Sequence, residues 1–376
     1  MKILIFNWQD IKNPQGGGAE VHLHQIFSRL VKMGHDVTLY CSSFSKAPRE
    51  EVIDGLRLIR EGGRYTFNYR VFFRYLSRFR KEQYDIVVDD MNKIPFFTPL
   101  YVSKPIYLIV HHLFGKSIFK EAPFPLALYV FLMEKLGILV YRRKKVPLMV
   151  VSSSTREEMK RCGFPDESMT YAYNCVDHDI HRPGIVLKNE TPLIGYFGRL
   201  KKYKSVGHLL RAFDLVRRRV PDARLVIVGD GDHRPALERI AESLGIADSV
   251  QFTGYVSEED KVKWLNRVWF MVNTSSKEGW GLTVIESNAC GTTVIGSDVP
   301  GLRDAIKDGE TGLLYPYGDI AKLSGKILQL ISDRELRDRL AKNAKTWAST
   351  FNWDTVAVSV AENLQKEIEF HRRAHS

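Results

Sequence analysis

Short runs of β-branched and aliphatic residues recur along the chain, each followed by a helix-length segment whose apolar residues return every 3.6 positions. The runs are Ile3–Phe6, Val37–Tyr40, Ile86–Val88, Ile106–Val110 and Leu148–Val151, then Leu193–Phe197, Leu225–Val228, Phe270–Val272 and Thr293–Ile295. A strand that is apolar along its whole length is buried on both faces, as in parallel sheets covered by helices on both sides. The pattern therefore predicts an α/β protein with doubly wound parallel sheets. It breaks at HRPGIVLKNETP (His181–Pro192), which has two prolines, a glycine and no periodicity, just before a fresh strand at PLIGYFGR. Two domains follow, over residues 1–183 and 190–350. Beyond Phe351 the spacing is that of one long helix, 351–376.

Composition narrows this picture. The chain has 376 residues, 44% hydrophobic and 26% charged, which suits two globular domains and excludes disorder, a collagen repeat and a disulfide scaffold. Cys41, Cys162, Cys175 and Cys290 lie far apart without C-x-x-C spacing, so neither zinc nor disulfides are indicated and a reducing cytoplasm is expected. The N-terminus, MKILIFNWQD, reads as a first strand rather than a signal peptide. The apolar stretch Ala122–Tyr141 is interrupted by Glu134 and Lys135, whereas a spanning helix needs about 20 largely uncharged residues.

Charge is unevenly placed. The net charge is +11, and residues through Val186 hold 27 basic and 19 acidic side chains against 28 and 25 beyond. Arg64–Lys81 has six basic residues, seven aromatics and no acid, with Arg70, Arg74 and Arg78 at helical spacing; Phe124–Lys145 ends in four cations. Such helices suit an anionic membrane surface, giving a cytoplasmic protein able to sit peripherally on the membrane; a solvated basic face over an ordinary core helix is the alternative. No recognition motif accompanies these charges, so nucleic acid is not expected.

Four segments of the second half point to phosphates and sugars. GRLKKYKS (Gly198–Ser205) lies between a predicted strand and a predicted helix start. Arg199 can fork across two phosphate oxygens and Lys204 can add a point charge, or the segment is simply a basic loop. LVIVGDGD (Leu225–Asp232) ends a buried strand in Gly229-Asp230-Gly231, at the edge where open α/β sheets bind ligands, or in a plain tight turn. Arg234 stands where a dinucleotide fingerprint needs its third glycine, which disfavours an oxidoreductase. SSKEGWGLTVIESNACG (Ser275–Gly291) places Glu278 in a loop and Glu286 on a short apolar helix. Carboxylates there are costly unless hydrogen-bonded, and ligand hydroxyls are natural partners; an exposed loop Glu with a salt-bridged helix Glu is the alternative. VPGLRDAIKDGETGLLYP (Val299–Pro316) adds two glycine turns. In the first half, Gly16, Gly17 and Gly18 feed an amphipathic helix whose first amides can meet phosphates, and His111 and His112 end the strand PIYLIVHH.

In this order, GRLKKYKS, VGDGD, EGWGLTVIE, VPGLRDAI and DGETGLL resemble the retaining glycosyltransferase family 4, over nearly the whole chain. The resemblance implies the GT-B fold, two Rossmann-like domains facing across a cleft, with helix 351–376 returning to the N-terminal one. It implies that Arg199 and Lys204 bind the diphosphate of a nucleotide sugar, Glu278 the donor sugar hydroxyls and Glu286 the ribose. Gly198, Gly229, Asp230, Gly231, Gly279, Trp280, Gly281 and Leu282 would complete the donor site. Gly16–Gly18 with Glu20 resemble the family's glycine loop, and a His at the strand end lies near the donor sugar, a place His111 fits better than His112. The family's Asn-Gly-Val-Asp run appears as Asn174-Cys175-Val176-Asp177, losing a glycine and with it easy access to positive φ.

The implied activity is transfer from a UDP or GDP sugar to a hydroxyl of a glycan, lipid or lipid-linked sugar, with retention by same-face attack. Arg199, Lys204 and the Gly16–Gly18 amides would stabilise the departing diphosphate. No Asp-x-Asp motif stands at the expected place, and Asp89-Asp90 lies in the acceptor half, so no metal and no cofactor besides the nucleotide sugar are expected. A sugar-nucleotide epimerase and a non-enzymatic sugar-nucleotide-binding protein are the rival readings.

Overall fold

The computed structural model describes residues 1–63, 66–91, 94–120 and 122–375. They form two compact units, residues 1–174 with 353–376, and residues 175–352. The first unit ends earlier than residue 183, because the proline-rich connection docks onto the second unit. There Gly184 N–H donates to Asn266 Oδ1 at 2.9 Å and Lys188 Nζ to the Val268 carbonyl at 2.7 Å.

The first unit runs β1 (Lys2–Phe6), α1 (Gly18–Lys32), β2 (Asp36–Cys41), β3 (Glu50–Ile53), β4 (Leu56–Arg60), α2 (Phe67–Ser77), β5 (Ile86–Met91), β6 (Ile106–Val110), α3 (Phe124–Arg143), β7 (Leu148–Val150), α4 (Ser153–Arg161), β8 (Met169–Tyr171). Its sheet has the order β3-β4-β2-β1-β5-β6-β7-β8 and is parallel except for the β3–β4 hairpin. The hairpin escapes an apolar-run reading because β3, Glu50-Glu51-Val52-Ile53 at a sheet edge, is half charged; its turn, Asp54-Gly55, has positive φ at both positions.

The second unit runs β9 (Leu193–Phe197), α5 (Val206–Arg217), β10 (Arg224–Val228), α6 (Arg234–Ser243), β11 (Val250–Gly254), α7 (Glu258–Arg267), β12 (Phe270–Asn273), α8 (Leu282–Ala289), β13 (Val294–Ser297), α9 (Leu302–Ala305), β14 (Gly312–Tyr315), α10 (Ile320–Ser332), α11 (Arg334–Ala348). Its sheet is parallel, in the order β11-β10-β9-β12-β13-β14. The terminal helix α12 (Trp353–His375) belongs to the first unit, where Arg29 of α1 donates to Asp354 at 2.6 Å.

In each sheet the strand order reverses at one place. Leu4 of β1 lies opposite Thr38 of β2 and Val87 of β5, and Gly195 of β9 opposite Val226 of β10 and Met271 of β12. Connections leave such a strand in opposite directions and open a crevice at its carboxyl end, where α/β sheets bind ligands. The chemistry-bearing segments of both units sit at these edges.

The helix α3 is long and apolar enough to span a membrane by length and composition. Yet Glu134, at mid-helix, is buried and accepts the Phe114 and Gly115 amides at 2.6 and 2.8 Å, and Ala127, Ile138 and Tyr141 pack into the unit. This ties the helix to the protein along one face. The basic stretch beginning at Arg64 is described from Thr66 onward; Arg64 and Tyr65 lie outside the described residues. Its three stacked arginines are not one solvated row: Arg74 pairs with Glu61, Arg78 with Glu82 and Glu50, and only Arg70 among them pairs with no carboxylate of the described residues.

Candidate active site

At the reversal of the second sheet, the loops after β9 and β12 bring Lys204 to Glu278. Lys204 Nζ donates to Glu278 Oε1, which also accepts Ser275 Oγ at 2.6 Å. The loops are tied through the backbone as well, Ser276 N–H to the Tyr203 carbonyl at 2.8 Å and Thr274 Oγ1 to the Lys204 carbonyl at 2.9 Å. Burial works against the Lys204 charge, but Glu278 more than offsets it and the ammonium is held above its ordinary proton affinity. Glu278 is therefore not an exposed loop residue; only 14% of its side chain is open.

The cation site is completed by a helix start. Ser205, at φ +51, precedes α5 and makes no side-chain cap; its carbonyl accepts the His208 amide at 2.8 Å. Arg199, one residue after Gly198, is exposed at the same edge. Gly229 is required by chain approach: a Cβ there would stand 2.1 Å from the Gly198 carbonyl oxygen, and φ is +135°. The second glycine turn serves Glu278 likewise, since a Cβ at Gly301 would stand 2.2 Å from the Glu278 carbonyl oxygen. Asp230 is exposed and accepts the Gly231 amide at 2.7 Å.

Glu286 sits apart from this pair. It is buried on α8 and meets Lys261 of α7 at 3.0 Å, with His181 at 3.9 Å. Glu258 closes the group, 2.7 Å from Lys261 and 3.0 Å from His181. Burial raises the proton affinity of Glu258, but His181 and Lys261 dominate and lower its pKa to about 2. His181, Glu258 and Glu286 are close enough to share a cation, and the Lys261 ammonium already supplies one. Nothing in the spacing of these residues announces the group, because three separate elements contribute to it. Trp280 is buried, its ring centroid 5.0 Å from that of Phe351. Gly279 and Leu282 are half-buried, and Gly281, at φ +90°, starts α8.

In the first unit the reversal edge holds a buried histidine pair. His111, just after β6, lies 3.2 Å from Asp90 at the end of β5, and its ring meets His22 of α1 edge-on at 5.1 Å. His22 Nε2 donates to the Ala172 carbonyl at 2.8 Å. Burial, then the His111 charge, depress the His22 pKa to about 3; burial also opposes charge on His111, yet Asp90 prevails and raises it. Asp90→Asn is expected to carry the His111 titration below the ordinary 6.5, followed by the ring proton shifts in NMR. An unmoved titration would remove Asp90 from that role. His112 is half-buried, its ring 5.3 Å from that of Phe114.

The glycine loop differs from expectation. Gly16 N–H donates to the Asn13 carbonyl at 2.8 Å and Gly17 N–H to Glu20 Oε2 at 2.6 Å, so two of the three expected phosphate donors are engaged internally. Glu20 thus caps its own helix. Asp89 and Asp90 do not share a face, since neighbours along a strand alternate. Asp89 is held by Thr98 Oγ1 at 2.6 Å and by the Tyr141 hydroxyl. Cys175 is buried without positive φ, so the missing glycine is accommodated.

Two sequence profiles tile the chain, Glycosyltransferase Family 4 over residues 16–180 and Glycosyl transferases group 1 over residues 177–347. This chain belongs to glycosyltransferase family 4. The family member is 33% identical over 187 residues to a D-inositol 3-phosphate glycosyltransferase of Streptomyces avermitilis, 47% of this chain and 40% of the relative. It is 28% identical over 232 residues to the GDP-mannose-dependent alpha-(1-6)-phosphatidylinositol monomannoside mannosyltransferase of Mycobacterium tuberculosis, 57% and 60% of the two chains. The matches span about half the length of these curated relatives. Among solved structures, the sucrose-phosphate synthase of Thermosynechococcus elongatus superposes with a TM-score of 0.81 at 19% identity, covering 97% and 98% of the chains. HepE of Anabaena, solved with UDP and glucose, gives 0.77 at 18% identity, covering 97% and 99%. These neighbours place the family-4 chain in the GT-B fold class.

Proposed function

We propose that this protein transfers a sugar from a nucleoside-diphosphate sugar to an acceptor hydroxyl, with retention at the anomeric carbon and without a metal ion. The observation that carries the reading is the Lys204–Glu278 pair at the sheet reversal, beside the start of α5. Relatives named for sugar transfer, one of them GDP-mannose-dependent, and a fold neighbour solved with UDP and glucose support it.

The chemistry follows from charge. As the glycosidic bond to the diphosphate breaks, negative charge grows on the leaving oxygens, and fixed cations and helix amides stabilise it most in the transition state. Lys204, kept protonated by Glu278, and Arg199 supply the cations. Glu278 can accept donor sugar hydroxyls while still holding Lys204, which fixes the sugar in register with its leaving group. In this reading the acceptor is held by the first unit, and its hydroxyl attacks the face that the diphosphate leaves.

The test is a thermal-shift screen against UDP, GDP, ADP and CMP and their sugar conjugates, since a ligand of the folded state must raise its stability. A shift with one nucleoside diphosphate, then an α-linked product from an α-linked donor, is expected. No shift with any of them, or conversion of the sugar nucleotide without an acceptor, would overturn the reading. Turnover is expected to survive EDTA; loss of turnover restored by a divalent ion would end the metal-free claim.

The same reading places the protein peripherally on the cytoplasmic face of a membrane. Tyr69, Phe72, Phe73 and Leu76 of α2 and Phe124, Leu128, Leu132 and Leu136 of α3 are exposed, and a 3.3 Å contact between the Tyr69 and Tyr129 hydroxyls joins the two helices. Arg142, Arg143, Lys144 and Lys145 are exposed at the end of α3. Apolar side chains flanked by cations suit an anionic headgroup layer. Arg142→Glu with Arg143→Glu is expected to weaken binding to anionic vesicles at least about thirtyfold, read by sedimentation, since two cations at about 1 kcal/mol each are lost. Equal sedimentation would leave these residues as a solvated face.

A further inference from the structure

A second recess lies in the first unit, away from the histidine pair. It has a volume of about 400 Å3, on the scale of ligand pockets of roughly 300–1,000 Å3. Ser43, Arg49, Arg60, Glu61, Arg70 and Arg74 line it.

The charges in it do not cancel. Arg60 is fully buried and matched by Asp10 at 2.8 Å and Glu51 at 2.8 Å. Arg49 and Arg74 share a single carboxylate, Glu61, and Arg70 stands beside them in the recess lining. Arg49 Nη2 reaches Glu61 at 2.5 Å, and Arg74 binds it through Nε at 2.7 Å and Nη2 at 2.5 Å. Burial opposes the Glu61 charge, yet Arg74, Arg49 and the Tyr40 hydroxyl hold it ionised. The carboxylate thus fixes two guanidiniums from below while leaving each with N–H donors to spare, because a guanidinium has five. Arg70 pairs with no acid among the described residues, and its stem lies across Gly62, within 3.3 Å of where a Cβ would be. Three guanidiniums against one carboxylate leave two positive charges, which matches the dianion of a phosphate monoester.

We propose that this recess binds the phosphate monoester of the acceptor, through Arg49, Arg70 and Arg74 positioned by Glu61. The assignment to the acceptor rests on the transferase reading; the phosphate site itself does not. Planar guanidiniums take phosphate oxygens in pairs, so the site orients its ligand as well as attracting it. Arg70 and Arg74 share α2 with the exposed Phe73 and Leu76, so a phosphate carried on a lipid and a phosphate on a soluble sugar are the two sources of the same group.

The test is the rate at which phenylglyoxal modifies each arginine, read by mass spectrometry on the full chain. Arg334, 84% exposed and in the second unit, is the reference. Glucose 6-phosphate is one probe, phosphatidylcholine vesicles with phosphatidic acid the other; sodium chloride at equal ionic strength and pure phosphatidylcholine are the controls. Selective slowing at Arg49, Arg70 and Arg74 with glucose 6-phosphate supports a soluble phosphate; slowing only with phosphatidic acid supports a lipid one. Arg70→Gln, at an exposed position, is expected to weaken protection at Arg49 and Arg74 roughly tenfold through loss of a charge-assisted hydrogen bond. Protection at these three no greater than at Arg334 with either probe, or unchanged in Arg70→Gln, overturns the proposal. Thermal shifts with nucleoside diphosphates are measured on the same samples. If they vanish while protection remains, the transferase reading fails and the phosphate site stands; if they remain without protection, the reverse holds.

Discussion

Lys204→Met is expected to lower kcat for sugar transfer by about 10²–10³ while changing donor KM much less, the signature of a group that acts on charge developing at the leaving diphosphate. The ammonium is held by Glu278, so its removal also takes the cation from a carboxylate that accepts the Ser275 hydroxyl at 2.6 Å. A largely buried carboxylate that loses its cation can itself destabilise the fold by roughly 3–5 kcal/mol. The double variant Lys204→Met with Glu278→Gln separates the two effects. Stability should largely return in it and activity should not. Recovery of turnover along with stability would show that Lys204 serves the fold alone.

The second large effect is on stability. Gly229→Ala places a Cβ 2.1 Å from the Gly198 carbonyl oxygen at a residue with φ +135°, and the atoms in the way are backbone. Neither loop can yield without breaking the Gly198 N–H bond to the Val228 carbonyl at 3.0 Å or that of Leu200 to the Asp230 carbonyl at 2.8 Å. A loss of at least about 3 kcal/mol is expected, which for a unit of this size lowers Tm by roughly 6–12 °C. Gly245→Ala is the control, with φ +68° and nothing within 4 Å of its Cβ. It should cost only about 1–2 kcal/mol. Equal Tm losses in calorimetry would show that close approach is not what Gly229 provides.

Much of this was legible before any coordinates. All nine apolar runs are strands, because a parallel strand buried on both faces has no polar alternation to disguise it. Of the five strands without such a run, three fail for local reasons. β3 is half charged, β8 is three residues long, and β11 sits at a sheet edge and is only partly buried. β5 extends past Val88 because Asp89 and Asp90 are satisfied from elsewhere in the chain, Asp89 by Thr98 and Tyr141 and Asp90 by His111. A composition pattern ends a strand at two carboxylates; a hydrogen bond lets it continue.

The site divides in the same way. Arg199, Lys204 and Glu278 announce themselves as charged residues in glycine-bearing loops after strands, where a ligand edge belongs, and Glu286 as a carboxylate on a short apolar helix. Their partners do not. Lys261 and His181 around Glu286, Ser275 on Glu278, and Asp90 and His22 on His111 come from other elements, and no local spacing marks them.

The sequence by itself determined the α/β class, the two parallel sheets and the loops that carry the charge, since burial and periodicity are properties of neighbouring residues. Only the tertiary structure decided that Lys204 meets Glu278 across 74 residues, that Glu286 is already paired, that Trp280 is core and that Gly17 serves Glu20. A charge or an amide is answered by whatever stands within about 3 Å of it, and chain folding, not chain order, brings that group there.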